Sequence, residues 1–448
     1  MKWNRLSRGA KALAVSLALG LGVSACSRDY TVAFVYVTTA KANPGLINAY
    51  AVDYQLGTLV QLAQSPTSSD GTDPVGLVVS TNTAYTKGNA QFLYVINRTT
   101  SNVVEFSIGL NGNLTQLNSY TVVNSTSLPT SLAMDPTDTY LYVTFQYQPG
   151  YSAASPGPGG IAVFPINTDG SLGTPLTNTT VGASSAHPLP YYPVGNNPVG
   201  IVVTNSYCTP GSVPTGYAAC STSAGVAGFI TIPSIYVVDQ ETVNSSATGV
   251  VLGFTQGYNL STKTPTGTLT TITGGTVLGG FAAGSVPAAI VVDPTGRYVY
   301  VTDQATNQIF GDIVLNNGAL SPMVDSPFPT GLLPLGATID PRGEYVYVAN
   351  YASQTVSGFS INTATGQLSG TGTSTATATG PTCVTIEPAR GIYLYTSNSL
   401  DGSVSGMSLD PHSGALSGIQ GTPYPASGLP TCAAAAASGS HSTEVLNP

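Results

Sequence analysis

Seven copies of one strand core run along the chain, centred on Tyr36, Tyr94, Tyr142, Tyr236, Tyr300, Tyr347 and Tyr395, in forms such as Phe-Val-Tyr-Val, Tyr-Leu-Tyr-Val and Tyr-Val-Tyr-Val. Ahead of most of them stands a second recurring element, a proline followed by a small apolar run, at Pro74, Pro129, Pro198, Pro287, Pro334, Pro381 and Pro430. In the clearest copies the run ends in Asp-Pro-x-Gly, as at Asp293 to Gly296 and Asp340 to Gly343, and leads straight into Tyr-Val-Tyr-Val. Pro-x-Gly supplies the turn between two short antiparallel strands. A third strand follows at Thr355 to Ile361 and Ser403 to Leu409, and a fourth after turns such as Asn316-Asn-Gly. Each repeat is therefore one four-stranded blade, and a series of such blades closes its sheet edges by forming a ring.

The two ends of the chain complete the count. The first Tyr strand has no Pro strand before it, and the last Pro strand, Pro430 to Ala437, has no Tyr strand after it. Pairing them makes a composite blade and removes two exposed edges that would otherwise template aggregation. The sequence thus predicts an all-β fold, a seven-bladed β-propeller of four-stranded antiparallel blades over residues 31–437, closed by pairing the C-terminal strand with the N-terminal blade.

Residues 1–25 carry Lys2, Arg5, Arg8 and Lys11, then an apolar run from Ala12 to Ala25, which reads as an export signal. The run ends in Val23-Ser-Ala-Cys26, small residues before a cysteine at the expected cleavage point, as in a bacterial lipobox. An ordinary secretory signal that contains Cys26 is the alternative. On the lipobox reading Cys26 is acylated, residues 26–30 form a short tether, and the protein is exported and membrane-anchored, facing the periplasm or the cell surface. Ser27 after the cysteine resembles the outer-membrane sorting pattern. No later stretch reaches the roughly 20 apolar residues of a spanning helix. Residues 438–448 form a polar tail. Without the signal, 8 basic residues face 20 acidic ones, so nucleic acid is not expected as a partner.

Apart from Cys26 there are four cysteines, enough for two disulfides in an exported chain. Cys208 and Cys220 share one Pro- and Gly-rich segment, and Cys383 and Cys432 occupy matching places in Pro-Thr-Cys at consecutive repeats. The second pair reads equally as a disulfide or as two small buried thiols.

These paired motifs resemble the bacterial YVTN-repeat proteins and the lactonase-type seven-bladed propellers over residues 31–437. The resemblance implies hydrolysis of 6-phosphogluconolactone or a related isomerisation. It also implies a pocket at the channel mouth lined by residues early in the Pro strand, often a histidine two positions after the proline. Here those positions are Gly76, Ser131, Gly200, Ala289, Gly336, Cys383 and Cys432, none of them histidine.

Connectivity sorts the loops onto two faces. The starts of the Pro strands, the ends of the Tyr strands and the connections between blades share what we call the top face. Asn97, Asp239, Asp303, Asn350 and Asn398 stand at the ends of Tyr strands there, with Arg98 and Glu241 beside them. They read either as oxygen ligands around the channel mouth or as Asx turns. No cofactor is evident; Ca²⁺ would need about six converging oxygens, which separate blades do not guarantee. His187 lies in a top-face connection with Tyr191 and Tyr192, whereas His412 and His441 are placed elsewhere.

The repeat is most distorted over residues 145–233, where Tyr142 and Tyr236 are 94 residues apart against 48 for Tyr347 and Tyr395. The insertions Gln146 to Gly160 and Ala183 to Asn197 are expected on the top face, and Asn205 to Pro233 on the bottom. A binding or scaffold module of the cell envelope, taking a protein or carbohydrate partner at these loops, accounts for the tether and the sparse chemistry. The alternative is a lactonase-type hydrolase or isomerase with catalytic groups drawn from Asp239, Glu241, Asp303, Arg98 and His187, and with Asn97, Asn350, Asn398, Tyr191 and Tyr192 on its binding rim.

Overall fold

The computed structural model describes residues 30–439 and 441, apart from 41–42, 81–90, 205–207, 211, 213–218, 222–224, 231–232, 244–245, 260, 263, 276 and 373. The export signal, Cys26, most of the polar tail and the side chains of Cys208 and Cys220 lie outside the described residues. Seven antiparallel blades surround a central channel among the described residues. Their innermost strands are, in ring order, Pro430–Ala437, Pro74–Val79, Pro129–Met134, Pro198–Val203, Pro287–Val292, Pro334–Ile339 and Pro381–Ile386, each packed on the next. We number the blades 1 to 7 in that order. Blade 1 is composite: Thr31–Thr39 pairs with Leu46–Asp53 on one side and with Pro430–Ala437 on the other, Tyr36 standing opposite Ala434.

The recurring tyrosine has a physical reason. The Tyr strands are buried on both faces, and alternate side chains enter the cores shared with the two neighbouring blades. Val35 and Val37 pack with Tyr395 and Val404 of blade 7, while Tyr36 packs with Leu93 and Val104 of blade 2. A phenol buried so deeply needs a partner for its hydroxyl. Six of the seven find it in the next blade, where each donates to the carbonyl of a glycine in the turn between the third and fourth strands. The pairs are Tyr36 to Gly112, Tyr94 to Gly170, Tyr236 to Gly318, Tyr300 to Gly366, Tyr347 to Gly414 and Tyr395 to Gly57, at 2.6–2.9 Å. Tyr142 instead accepts from Gln256 Nε2 at 2.6 Å, because the third strand of blade 4, Ser246–Asn259, is lengthened there. The Asp of Asp-Pro-x-Gly is equally structural: buried Asp293 and Asp340 each accept two backbone amides at the start of the following Tyr strand, all at 2.7 Å.

Cys383 and Cys432 are joined in a disulfide, with Cα atoms 4.9 Å apart. It ties the inner strand of blade 7 to the closing strand, where Thr431 Oγ1 also donates to Pro74 O at 2.7 Å. The insertions fall in blades 3 and 4. Gln146 to Gly160 and Ala183 to Asn197 meet on the top face, where Gly159 N donates to Gly195 O at 2.8 Å and Val194 N to Gly159 O at 3.2 Å. Asn205 to Pro233, between the first two strands of blade 4, contains a three-stranded sheet of Cys208–Pro210, Ala219–Ser221 and Ala227–Ile230.

Candidate active site

The polar residues that end the Tyr strands are not a ligand ring. Asn97, Asp239, Asp303, Asn350 and Asn398 each stand opposite the first proline of their own blade, and all five are fully buried. Each holds local structure. Asn97 Nδ2 donates to Ser69 O at 3.0 Å, Asn350 Oδ1 accepts from Gly331 N at 3.1 Å, and Asn398 Nδ2 donates to Ser403 Oγ and Ser405 Oγ at 3.0 Å. None of the five lines the central channel, and each belongs to a different blade. Asn97, Asn350 and Asn398 are therefore interior rather than rim residues.

The channel itself is chemically quiet. A cavity of about 250 Å³ is walled by the residues one to three places after each proline, among them Gly76, Ser131, Gly200, Ala289, Gly336 and the Cys383–Cys432 disulfide. No acid, base or histidine is in that wall.

A second cavity, of about 350 Å³, lies in the seam between blades 3 and 4. Val181 of blade 3, with Pro193, Val194 and Gly195 of its insertion, forms one side; Val250, Leu252, Phe254 and Leu278 of blade 4 form the other. Its polar groups are Asp239, Glu241 and Thr271, with no lysine, arginine or histidine in the wall. Both carboxylates come from the long strand Ser234–Val243, whose alternation points residues two apart to the same side. They converge on Gly195, where Asp239 Oδ2 and Glu241 Oε1 fill the place a Cβ would take, so glycine alone fits.

The two carboxylates differ in how they are held. Glu241 accepts Asn196 N at 2.7 Å and Asn196 Nδ2 at 2.6 Å. Asp239 Oδ1 accepts Asn197 N at 2.8 Å, while Oδ2 is buried without a hydrogen-bond partner. Burial pushes the Asp239 carboxyl up to about 7; the backbone amide of Asn197 opposes the rise, the Glu241 charge adds to it, and the backbone amides of Gln240 and Gly195 oppose it further. An acid of this strength is balanced between its two forms near neutrality, the condition for efficient proton transfer.

The remaining sequence-predicted residues are not brought to this place. Asp303 is saturated, accepting Ser285 N at 2.6 Å, Val286 N at 3.1 Å and Ala305 N at 2.9 Å. Arg98 belongs to blade 2 and lines neither cavity. His187 sits at the exposed tip of a hairpin closed by Asn178 and Leu189 and lines neither cavity. Tyr191 and Tyr192, expected on a rim, are core residues 5% and 1% exposed, Tyr191 standing edge-on to Phe145 at 5.5 Å. The strand pairing of the blade 3 insertion draws them inward. Gly195 and Asn196 escaped sequence reasoning although a signal was present. A glycine three places before the proline recurs at Gly71, Gly195, Gly284 and Gly331, and each abuts the Asn or Asp of its own blade.

The chain is a seven-bladed propeller with no acid, base or histidine in its channel wall and an acid pair in the seam between two blades. The chain belongs to the lactonase family of seven-bladed β-propellers, whose model matches residues 84–189 and 256–386. No curated protein sequence matches it. The fold is similar to that of a candidate 6-phosphogluconolactonase from Bacteroides uniformis, with 17% identity over 90% of this chain and 99% of that one and a TM-score of 0.58. It is also similar to the periplasmic gluconolactonase of Pseudomonas aeruginosa, with 17% identity over 91% of this chain and 99% of that one and a TM-score of 0.59. Likeness at such identities concerns the fold.

Proposed function

We propose that this protein is a lactonase-type hydrolase of the cell envelope that opens an uncharged sugar lactone in the seam between blades 3 and 4. The observation that carries the reading is Asp239, a fully buried carboxylate with one unpartnered oxygen and a pKa of about 7, in the wall of a cavity in a lactonase-family propeller. Family membership favours this over the binding or scaffold role that the sequence suggested first.

Asp239 acts as general base. Its ionised form takes a proton from water as the oxygen adds to the lactone carbonyl carbon, and the same proton passes to the ring oxygen as the carbon–oxygen bond breaks, leaving a hydroxy acid. Glu241 is held by Asn196, and its proximity raises the Asp239 pKa. The substrate class follows from charge. Two carboxylates without a cation in the cavity wall repel a phosphate, so the unphosphorylated lactone is preferred to the 6-phosphate. The name of the Pseudomonas aeruginosa neighbour accords with that choice. The test is proton release from glucono-δ-lactone by the domain from Ser27 onward. Saturable turnover that disappears in Asp239→Asn is expected, and turnover equal in the variant and the wild type would overturn the assignment.

A further inference from the structure

The position at which the chain enters the ring fixes which way the ring faces. The first strand, Thr31–Thr39, begins on the bottom face, where Tyr54 N donates to Tyr30 O at 2.6 Å. The closing strand ends on the same face, with Ser438 N on Val32 O at 3.0 Å. Only residues 27–30 stand between Cys26 and Thr31. Five residue steps reach at most about 18 Å. An anchor at Cys26 therefore holds the bottom face near the bilayer, while the top face lies across the thickness of the ring.

The bottom face is also dressed for that contact beside the point of attachment. Tyr30 is 49% exposed, Leu56 in the turn after Asp53 is 59% exposed, and Leu110 in the turn after Ile108 is 87% exposed. All three belong to blades 1 and 2, the blades next to the tether. Arg390 of blade 7 lies over the Tyr54 ring at 4.6 Å from its centroid and donates to Tyr54 O, but Asp53 and Asp410 share this face, so charge alone does not select it. Exposed Leu332, Leu400 and Leu429 lie on the top face, outside the reach of the tether.

We propose that the bottom face of blades 1 and 2 rests on the lipid surface, with Tyr30, Leu56 and Leu110 in the headgroup layer, and that the Asp239 end of the blade 3–4 seam and the two top-face insertions point away from the membrane. Orientation then exposes the cavity to solutes of the compartment. The proposal rests on lipidation at Cys26 and is independent of catalysis.

The sequence offers a clean probe, because its single tryptophan is Trp3, within the export signal. Leu110→Trp and Leu400→Trp each place one indole in the mature chain, at the bottom and the top face. The full lipidated protein would be reconstituted in vesicles of phosphatidylcholine and phosphatidylglycerol carrying brominated acyl chains. Strong quenching and a blue shift are expected for Leu110→Trp and none for Leu400→Trp, with Leu56→Trp as a second bottom-face probe should the first misfold. Equal quenching on both faces, stronger quenching at Leu400→Trp, or none at any position overturns the proposal. Because the readout is fluorescence, loss of lactone turnover has no bearing on it.

Discussion

Blades 4 and 5 carry the same local device with different outcomes. Each has a glycine three places before its first proline, Gly195 and Gly284, and an Asp opposite that proline, Asp239 and Asp303. In blade 5 the amides of Ser285 and Val286 both turn to the carboxylate, and Ala305 N adds a third bond. Blade 4 repeats one of these three bonds. Asn197 N, the counterpart of Val286 N, reaches Asp239 at 2.8 Å, but Asn196 N, the counterpart of Ser285 N, is taken by Glu241 at 2.7 Å. Where blade 5 has Ala305, blade 4 has Glu241, and that one side chain leaves Asp239 Oδ2 unpartnered and adds a like charge beside it. Asp239 thus keeps one of the three hydrogen bonds that hold Asp303.

The largest effect should come from exchanging the two aspartates in turn. Asp239→Asn is expected to lower kcat for glucono-δ-lactone at least about 100-fold, the range for removal of a general base. Asp303→Asn should leave turnover within a few-fold of wild type and lower the melting temperature, because three amides lose a charged acceptor, at a cost of about 1–3 kcal/mol. Initial rates and thermal melts of both variants check this. Equal loss of turnover in the two would erase the distinction between the blades.

Glu241→Ala makes blade 4 resemble blade 5. Asn196 N is freed to bond Asp239 Oδ2, and the like charge is removed, so the Asp239 pKa should fall from about 7 toward the usual carboxylate range. In wild type kcat/KM should rise with pH through an inflection near 7 as the base ionises; in the variant the inflection moves to lower pH and the plateau falls about tenfold, as a weaker base would give. A pH–rate profile with an unmoved inflection would show that Glu241 does not govern the base.

Stability responds to the same group with a definite sign. The folded pKa of Asp239 lies above its unfolded value of about 3.9, so the folded chain holds the proton more tightly. Stability should therefore fall as pH rises from about 4 to 7, with the full penalty present above 7. Asp312, also pushed up to about 7 by burial, adds a parallel slope in wild type and variant alike. The difference in unfolding free energy between wild type and Asp239→Asn, followed by urea titration from pH 5 to 8, isolates the Asp239 share, on the order of a few kcal/mol.

The contrast between these blades also marks where the sequence stops being readable. The ring was legible because its determinants are local and repeated: a buried Tyr in each second strand, a Pro turn before it, and complementary half-blades at the termini. Cys383 and Cys432 were legible as equal positions of consecutive repeats for the same reason, but disulfide and buried thiols read equally well until the structure joined them. Asp239 and Asp303 look alike in sequence, and what separates them is the route of two backbone amides, the counterparts of Ser285 N and Ala305 N, which a side chain two residues away and the fold of an insertion decide. Tyr191 and Tyr192 were misplaced on a rim because a Pro-rich loop gives no period from which to read which side is buried.

The smallest expected effect concerns how the seam of blades 3 and 4 is latched. Tyr300→Phe leaves the carbonyl of Gly366 without its buried donor, which should cost about 1–2 kcal/mol. Tyr142→Phe should cost less. Its partner Gln256 Nε2 loses one acceptor, but the Gln256 side chain also bonds Asp135, so the amide is not stranded. Unfolding midpoints of the two variants in urea, read at one pH, decide the order. A larger loss at Tyr142 would mean that the side-chain latch, rather than the glycine carbonyl used elsewhere in the ring, is the stronger hold, and that the seam carrying the acid pair is the more tightly fastened of the two.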